Sequence, residues 1–203
     1  MAFWSDTVLP RIIDRGMRNE FMAQHRDRAA PLAYGRVLEI GLGSGLNIPL
    51  YTEKVEHLFG LEPSAVLCDK AGELADAAPF AVDILEASAE SIPLERGTID
   101  TVVSSWTLCS IPGIEIALQE IRRVMRPDGK FIFIEHGRAP EPDVSRWQDR
   151  LEPLSAPLLG CRLNRAMDEL LEGSGFNILS MDKGYMDGPR LISYHYIGQA
   201  RPQ

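Results

Sequence analysis

The chain has 203 residues, of which 45% are hydrophobic, and it carries a formal net charge of −8 at pH 7. This length suits a single α/β domain, 1–203, that is large enough to bury most of its apolar surface. The negative charge argues against a nucleic-acid partner, and no apolar run reaches the roughly twenty residues of a membrane-spanning helix, so we expect no stable membrane insertion.

The first thirty residues, 1–30, predict a helical segment with an apolar stripe. Thr7 is a candidate N-cap, and Pro10 is tolerated in a first helical turn. The stripe either packs on the core, covers the active site as a lid or cap, or makes peripheral contact with a membrane. Acidic residues such as Asp14 count against contact with anionic lipid. The apolar residues at helical spacing are Phe3, Trp4, Val8, Leu9, Ile12, Ile13 and Met17.

A short apolar run at 36–40 predicts a buried strand, which ends at three closely spaced glycines before a predicted helix at 46–54. Gly41, Gly43 and Gly45 would each cost about 0.5–1 kcal/mol relative to Ala inside a regular element. The turn is therefore either simply tight or shaped so that a ligand can approach the backbone. A glycine turn between strand and helix presents free N–H groups to a nucleotide-like ligand.

Two carboxylates accompany this turn. Glu62 ends a predicted strand at 57–62, about twenty residues after Gly41, which is the spacing of a ribose-binding carboxylate in dinucleotide folds. Glu39 lies inside the apolar strand, where an unpaired charge is costly, so we expect a cation or hydrogen-bond donors to meet it. The pattern ExGxGxG differs from the GxGxxG of nicotinamide-binding turns, and this difference favours S-adenosylmethionine as the ligand.

Strands and helices continue to alternate along the chain, which predicts a mostly parallel, doubly wound sheet. A stretch near 153–157 that is rich in Pro and Leu predicts a local break between two helices. The remaining predicted elements are a helix at 64–76, strands at 80–86 and 99–105, a helix at 113–126, a strand at 130–136, helices at 144–151 and 164–172, and strands at 176–181 and 191–198.

The cysteines Cys68, Cys109 and Cys161 are odd in number and widely spaced, with neither CxxC pairs nor a zinc pattern. We therefore expect free thiols in a reducing cytoplasm and no bound metal. The N-terminus also lacks the apolar core of a secretory signal peptide.

The ExGxGxG pattern resembles that of the class I S-adenosylmethionine-dependent methyltransferases. The segments "ASAESIPLERGTIDTVVSS" and "ALQEIRRVMRPDGKFIFIEHG" extend the resemblance over about residues 35–137. It implies a doubly wound, mostly parallel seven-stranded Rossmann-like sheet with helices on both faces and a C-terminal antiparallel strand. Residues 35–137 would form the cofactor-binding core, and residues 138–203 the acceptor-side helices and the last two strands. The implied cofactor-binding residues are Glu39, Gly41, Gly43, Gly45, Asn47, Glu62, Pro63, Ser88, Ala89, Glu90 and Ser104.

A closer resemblance, from about residue 36 to residue 200, is to the methyltransferase-like alkyl-thiol methyltransferases. It is carried by "TLCSIP", "EHGRAPEP", "RWQDRLEPL", "LGCRLNR" and "YHYIGQA". Members of that family in animals are membrane-associated through a long apolar N-terminal anchor, which is not expected here. The closer resemblance implies a small-molecule acceptor, best a thiol or sulfide, on a side built by "EHGRAP", Trp147, Gln148 and Cys161. The class I resemblance places the acceptor beyond the fourth and fifth strands, and so adds Trp106 and Cys109 to the predicted acceptor-binding residues.

His136, just beyond the predicted fifth strand, is the best-placed candidate for a general base, because its pKa ordinarily lies near working pH. It is equally well explained as a structural histidine at a strand end. A thiol acceptor would not need a strong base, since a thiolate is already a potent nucleophile. Two other classes stay open, a phospholipid or quinone methyltransferase and a non-catalytic cofactor-binding module, and the chain is either a monomer or a homodimer.

Overall fold

The computed structural model describes residues 8–203. The predicted N-cap Thr7, and Phe3 and Trp4 of the apolar stripe, lie outside the described residues. The six α-helices in this part of the chain are α1 (Leu9–Met17), α2 (Glu20–Ala29), α3 (Ala65–Asp76), α4 (Ile114–Val124), α5 (Pro142–Leu159) and α6 (Met167–Gly173).

Seven strands form one sheet in the order β3-β2-β1-β4-β5-β7-β6. Strands β1 to β5 pair in parallel, whereas β7 is antiparallel to both β5 and β6. The predicted seven-stranded, mostly parallel sheet is therefore confirmed. The strands are β1 (Gly35–Ile40), β2 (Val55–Leu61), β3 (Ala81–Leu85), β4 (Ile99–Ser105), β5 (Met125–His136), β6 (Phe176–Tyr185) and β7 (Tyr194–Pro202).

The side chains of β1 alternate between two hydrophobic cores, one on each face of the sheet. Leu38 and Ile40 pack into the core that holds α4, while Val37 packs into the opposite core together with Leu42 and Ala71. Burial on both faces explains why β1 reads as a continuous apolar run. It also fixes the register that brings the carboxyl ends of β1, β2 and β4 to one edge of the sheet.

Two predicted elements are wrong. The helix expected at 46–54 is only a short 3-10 turn, Ile48–Leu50, because Pro49 has no N–H to donate and Tyr51 is already extended. The break expected near 153–157 is absent, since α5 runs unbroken through Pro153 and Pro157. Both prolines lie exposed, where solvent can satisfy the carbonyls that lose their helical donors.

The N-terminal segment forms two helices. Asn19 lies between the two helices and is the N-cap of α2. Its side-chain oxygen accepts a 2.9 Å hydrogen bond from the backbone N–H of Met22. In the described part of the chain, no helix is both long enough and apolar enough to span a bilayer.

Candidate active site

A cavity of about 370 Å³ lies at the carboxyl edge of the sheet, where β1, β2 and β4 end. This is where parallel α/β sheets bind ligands. Helix α1 and the end of α5 also contribute to its wall. The lining residues are Leu9, Pro10, Ile13, Asp14, Met17, Arg26, Glu39, Ile40, Gly41, Leu42, Gly43, Ser44, Leu46, Asn47, Leu61, Glu62, Pro63, Ser64, Leu67, Ala87, Ser88, Ala89, Ser105, Trp106, Thr107, Ser110, Ile111, Pro112 and Gly160.

The glycine turn forms one wall of this cavity. Gly41, Gly43 and Gly45 all have positive φ, between 59° and 79°. A Cβ on Gly41 would lie 2.2 Å from Thr107 Oγ1, and one on Gly45 would lie 2.9 Å from the Ile48 side chain, so these two glycines allow the turn to pack. A Cβ on Gly43 would meet no protein atom within 4 Å, which leaves the backbone there open to the cavity.

Glu39 is 2% exposed and is met by hydrogen-bond donors, as the sequence predicts. Asn47 Nδ2 donates to its Oε1 at 2.7 Å, and the Tyr51 hydroxyl donates to its Oε2 at 2.8 Å. Burial raises the pKa of this carboxyl to about 7, against the opposing effect of the two hydrogen bonds and of the Arg26 charge. Small changes in its surroundings can therefore change its charge near neutral pH.

Three buried polar atoms in the cavity wall have no hydrogen-bond partner among the described residues. They are Oδ1 of Asn47, a residue only 3% exposed, Oγ of Ser64 and Nε1 of Trp106. Buried polar atoms are ordinarily hydrogen-bonded, so all three positions suit a ligand with polar groups. Asn47 Oδ1 can only accept, and it therefore suits a donor such as an ammonium group.

Glu62 lies at the end of β2 and closes the other side of the turn. Its Oε2 accepts the backbone N–H of Gly43 at 3.0 Å, and its Oε1 accepts that of Ser64 at 2.9 Å. Burial raises the pKa of this carboxyl, while the two backbone donors lower it. Because a carboxylate offers about four lone-pair sites, each oxygen can still accept a hydrogen bond from a ligand hydroxyl.

Arg26 of α2 brings a cation to the cavity. It is 5% exposed, donates to the backbone carbonyl of Met17 at 2.7 Å, and lies 5.5 Å from the centre of the Trp106 ring. In the described part of the chain, no carboxylate forms an ion pair with it. A guanidinium beside Glu39 and the open acceptor of Asn47 complements a zwitterionic amino acid, because its carboxylate and its ammonium would each find an opposite partner.

Asp14 fastens α1 to the glycine turn. Its carboxylate accepts hydrogen bonds from the Ser44 hydroxyl, from Lys70 Nζ of α3 at 2.7 Å and from Arg18 Nε at 3.2 Å. Burial would raise the pKa of this carboxyl, but its three partners outweigh burial and lower the pKa to about 2. Helix α1, which lines the cavity, is thus bound through side chains to the glycine turn and to α3.

Most of the predicted cofactor-binding residues lie together in this wall. The cavity is lined by Glu39, Gly41, Gly43, Asn47, Glu62, Pro63, Ser88 and Ala89. Gly45, Glu90 and Ser104 do not line it. The Glu90 carboxylate accepts the Ser88 hydroxyl and the Gly113 N–H, and the Ser104 hydroxyl donates to Glu135 at 2.7 Å.

The predicted acceptor residues are more scattered. Trp106 lines the cavity with φ of 54°, an unusual value for a residue with a side chain. Cys109 is buried, whereas Trp147 is 53% exposed on α5. Gln148 is fully buried, and its side chain forms hydrogen bonds with the backbone of Gly137, Ala139 and Leu191. His136 lies outside the cavity lining, with its ring centre 6.3 Å from that of His195.

Sequence reasoning missed Arg26, Tyr51 and Ser44 as residues of the site or its support. The position of Glu39 inside an apolar strand indicates that Arg26 and Tyr51 or similar residues exist, because a buried carboxylate requires donors or a cation from another element. The sequence does not indicate which residues supply them, since Arg26 lies 13 positions before Glu39 on a separate helix and Tyr51 lies 12 positions after it.

Comparison with known proteins agrees with this geometry. A family model described as a methyltransferase domain matches residues 38–133. The chain is 28% identical to human thiol S-methyltransferase TMT1A over 192 residues, which cover 90% of this chain and 77% of that protein. It is 24% identical to the mitochondrial methyltransferase OMS1 of Saccharomyces cerevisiae over 194 residues, which cover 87% of this chain but only 40% of the yeast protein.

Solved structures show the same fold. A S-adenosylmethionine-dependent methyltransferase from Thermotoga maritima superposes with a TM-score of 0.71 at 21% identity, covering 98% of this chain and all of that one. The [4+2]-cyclase SpnF also superposes, with a TM-score of 0.67 at 17% identity, covering 89% of this chain and 80% of that one, so the fold alone does not determine the reaction. The glycine turn, its two carboxylates and the methyltransferase domain matched over residues 38–133 together support a class I S-adenosylmethionine-dependent methyltransferase, and the Thermotoga maritima structure shares its fold.

Proposed function

We propose that the protein transfers a methyl group from S-adenosylmethionine to a small, apolar acceptor whose nucleophile is a thiol or a hydrosulfide. One observation carries this proposal. The ionisable residues among the described lining are Asp14, Arg26, Glu39 and Glu62, and the wall at Ile13, Trp106 and Ile111 is uncharged. An acceptor that brings its own anionic nucleophile suits such a wall.

The residues of the cavity complement the cofactor group by group. Glu62 would accept the ribose hydroxyls, while Glu39 and Asn47 Oδ1 would receive the ammonium of the methionine part. Arg26 would bind its carboxylate, and Gly43 leaves room for the chain of the ligand to pass close to the backbone. Ser88 and Ala89, which follow β3, would flank the adenine. When bound, the cofactor supplies a methyl group activated by its sulfonium.

No residue of the acceptor wall is placed as a strong base. Asp14 is held ionised by its three partners with a pKa of about 2, so it binds protons poorly. Glu62 accepts a hydrogen bond from the backbone N–H of Gly43 in the glycine turn, and Glu39 accepts one from the side chain of Asn47. A free thiol has an ordinary pKa of about 8.5, and its thiolate attacks without a catalytic base. The protein then contributes mainly alignment and the exclusion of water.

We also propose that α1 is a cap over the acceptor end of the cavity. Leu9, Pro10, Ile13 and Met17 of this helix line the cavity, and Asp14 fastens it to the glycine turn. Leu9 and Ile13 approach Gly160 at the end of α5, where an added Cβ would lie 3.2 Å from Leu9 Cδ2. Besides Asp14, the hydrogen bonds of Arg18 to the Ser44 hydroxyl and of Arg26 to the Met17 carbonyl hold α1, so ligand exchange beneath the helix would require these few polar contacts to open.

A lipid acceptor is the second candidate, and the surface next to the cap favours it. Ile12 and Ile13 of α1 and Leu154 and Leu158 of α5 are all more than 40% exposed. The chain is also 30% identical, over 104 residues that cover half of it, to phosphatidylethanolamine N-methyltransferase of Cereibacter sphaeroides, of which that match spans 51%. A lipid headgroup presented at an apolar surface could enter beside α1.

An acceptor panel separates the two candidates. The purified chain is mixed with S-adenosylmethionine, and release of S-adenosylhomocysteine is measured with alkyl thiols, sulfide, phenols, amines, quinols and phosphatidylethanolamine vesicles. We expect thiols or sulfide to give the highest kcat/KM, with a rate that rises with pH as the thiolate forms. Turnover confined to phosphatidylethanolamine or quinols would replace the thiol proposal with the lipid one.

A further inference from the structure

We propose that Cys109 and Cys161 form a redox pair, a modification site at which a reversible intramolecular disulfide changes the acceptor end of the cavity. All three cysteines are free thiols in the structure. The thiols of Cys109 and Cys161 lie close enough to interact with each other, and the Cys161 thiol also interacts with His136. The two cysteines are far apart in sequence, and neither lines the cavity.

The two cysteines belong to segments that are already held together. The backbone N–H of Arg162 donates to the carbonyl of Cys109 at 2.9 Å. The Arg165 guanidinium donates to the carbonyls of Leu108 and Ile111, the latter at 2.5 Å. Both cysteines also contact the same hydrophobic core. A bond between the two sulfur atoms would therefore require little movement of either backbone.

The pair divides into an attacking and a resolving thiol. Cys161 is partly exposed and is therefore open to an oxidant in solution, and its interactions with Cys109 and His136 lower the pKa of its thiol. Cys109 is 2% exposed, and its interaction with Cys161 together with burial raises the pKa of its thiol. Cys68 differs from both, because burial raises the pKa of its thiol to about 11.

A peroxide is a sufficient oxidant for this step. The Cys161 thiolate attacks one oxygen of hydrogen peroxide, which breaks the O–O bond and gives a sulfenic acid and hydroxide. The Cys109 thiol then attacks the Cys161 sulfur, the disulfide forms, and one water leaves with the Cys109 proton. Two electrons pass from the two thiols to the peroxide. A dithiol reductant restores both thiols by exchange.

The link to the cavity runs through Trp106. The Cys109 thiol lies 3.6 Å from the Trp106 carbonyl, to which it donates a weak hydrogen bond. Trp106 lines the cavity in a left-handed backbone conformation. Disulfide formation removes the thiol proton and with it this bond. We therefore expect kcat/KM for the acceptor to fall by about tenfold, since small displacements of positioning groups cost that much or more. Cofactor affinity should stay unchanged, because the glycine turn is not involved.

The test treats the full-length chain with hydrogen peroxide and maps its peptides without reduction. We expect one cross-linked peptide pair containing Cys109 and Cys161, a fall in free thiols from three to one, and full reversal by dithiothreitol. The Cys68→Ser variant should behave like the wild type. In Cys109→Ser, Cys161 should instead pass to higher oxidation states that dithiothreitol does not reverse.

Cross-links through Cys68, dimers joined between chains, or thiols that stay unmodified would each overturn the proposal. The mass measurement does not depend on methyl transfer, so the redox pair can stand or fall separately from the proposed thiol acceptor. The titration of oxidised and reduced protein with S-adenosylhomocysteine completes the test, because equal affinities are expected and a large loss would show that the cross-link disrupts the cofactor half instead.

Discussion

The Tyr51 hydroxyl donates a 2.8 Å hydrogen bond to Oε2 of Glu39 inside the wall of the cavity. Tyr51 follows the 3-10 turn that stands where a longer helix was expected, so the end of that turn places its ring behind the first strand. This hydrogen bond favours the ionised form of the Glu39 carboxyl, whereas burial favours its neutral form. The charge of Glu39 therefore depends on whether a cation binds nearby.

The Glu39→Gln variant should make the free protein less sensitive to pH. The pKa of Glu39 is about 7 in the folded protein, above its ordinary value of 4.5, so the folded state binds the carboxyl proton more tightly than the unfolded state does. The stability that this proton contributes is fully present below about pH 4.5 and is lost as the pH rises through 7. The loss amounts to at most about 3 kcal/mol. Urea unfolding at pH 5 and pH 8 should show a smaller difference between the two pH values for the variant than for the wild type.

Glu120→Gln is the matched control. Its hydrogen bond with Arg123 lowers the pKa of this carboxyl, so its contribution is present above the ordinary pKa and is lost on acidification. The Glu120→Gln substitution should therefore lower the free energy of unfolding more at pH 8 than at low pH. The Glu39→Gln substitution should have the opposite pH dependence. If both variants changed the pH dependence in the same direction, the assignment of a raised pKa to Glu39 would be wrong.

Gly41 and Gly43 should fail in different ways when each is changed to alanine. Gly41→Ala places a Cβ 2.2 Å from Thr107 Oγ1 at positive φ, and it should destabilise the protein by about 2–4 kcal/mol. Gly43→Ala meets no protein atom and should cost only about 1–2 kcal/mol for its left-handed backbone. Gly43 lines the cavity, so calorimetry should nevertheless show a large loss of S-adenosylhomocysteine affinity. Unchanged affinity in Gly43→Ala would place the ligand elsewhere.

Sequence patterns predicted the wall of the cavity near β1 and β2 better than the wall that the helices contribute. The strand, the glycine turn and Glu62 follow from local spacing, because a few consecutive residues determine each of them. Arg26 and Asp14 reach the cavity from helices whose position depends on tertiary packing, which no local pattern contains. The unbroken α5 shows the same limit, since the exposure of Pro153 and Pro157 decides whether a helix tolerates them.

Loss of the proposed cap should affect the acceptor more than the cofactor. A chain that begins after residue 17 should show a raised KM for the acceptor and nearly unchanged affinity for S-adenosylhomocysteine, because α1 lines the acceptor end. The milder Asp14→Asn variant keeps the helix but weakens its ion pairs, and should lower stability by about 1–2 kcal/mol. Equal losses of acceptor and cofactor binding in the truncated chain would indicate general destabilisation and no specific cap.

His136→Ala tests whether the reaction needs a base. His136 does not line the cavity, and we expect the variant to retain thiol methylation at alkaline pH, where the acceptor is already a thiolate. A hydroxyl acceptor would instead lose about 10²–10⁴-fold in rate when its base is removed. The measurement is the pH dependence of kcat/KM in both proteins. Complete loss of activity at every pH, in a variant that still unfolds cooperatively and binds cofactor, would contradict the thiolate mechanism.

Isothermal titration of the purified chain with S-adenosylmethionine and S-adenosylhomocysteine measures whether the cavity binds this cofactor. We expect saturable heat from one site per chain for both compounds. We also expect Glu62→Ala to weaken the binding of both, because the ribose loses its carboxylate partner. The absence of binding heat with either compound, in protein that is folded by circular dichroism, would contradict the assignment of this cavity to S-adenosylmethionine.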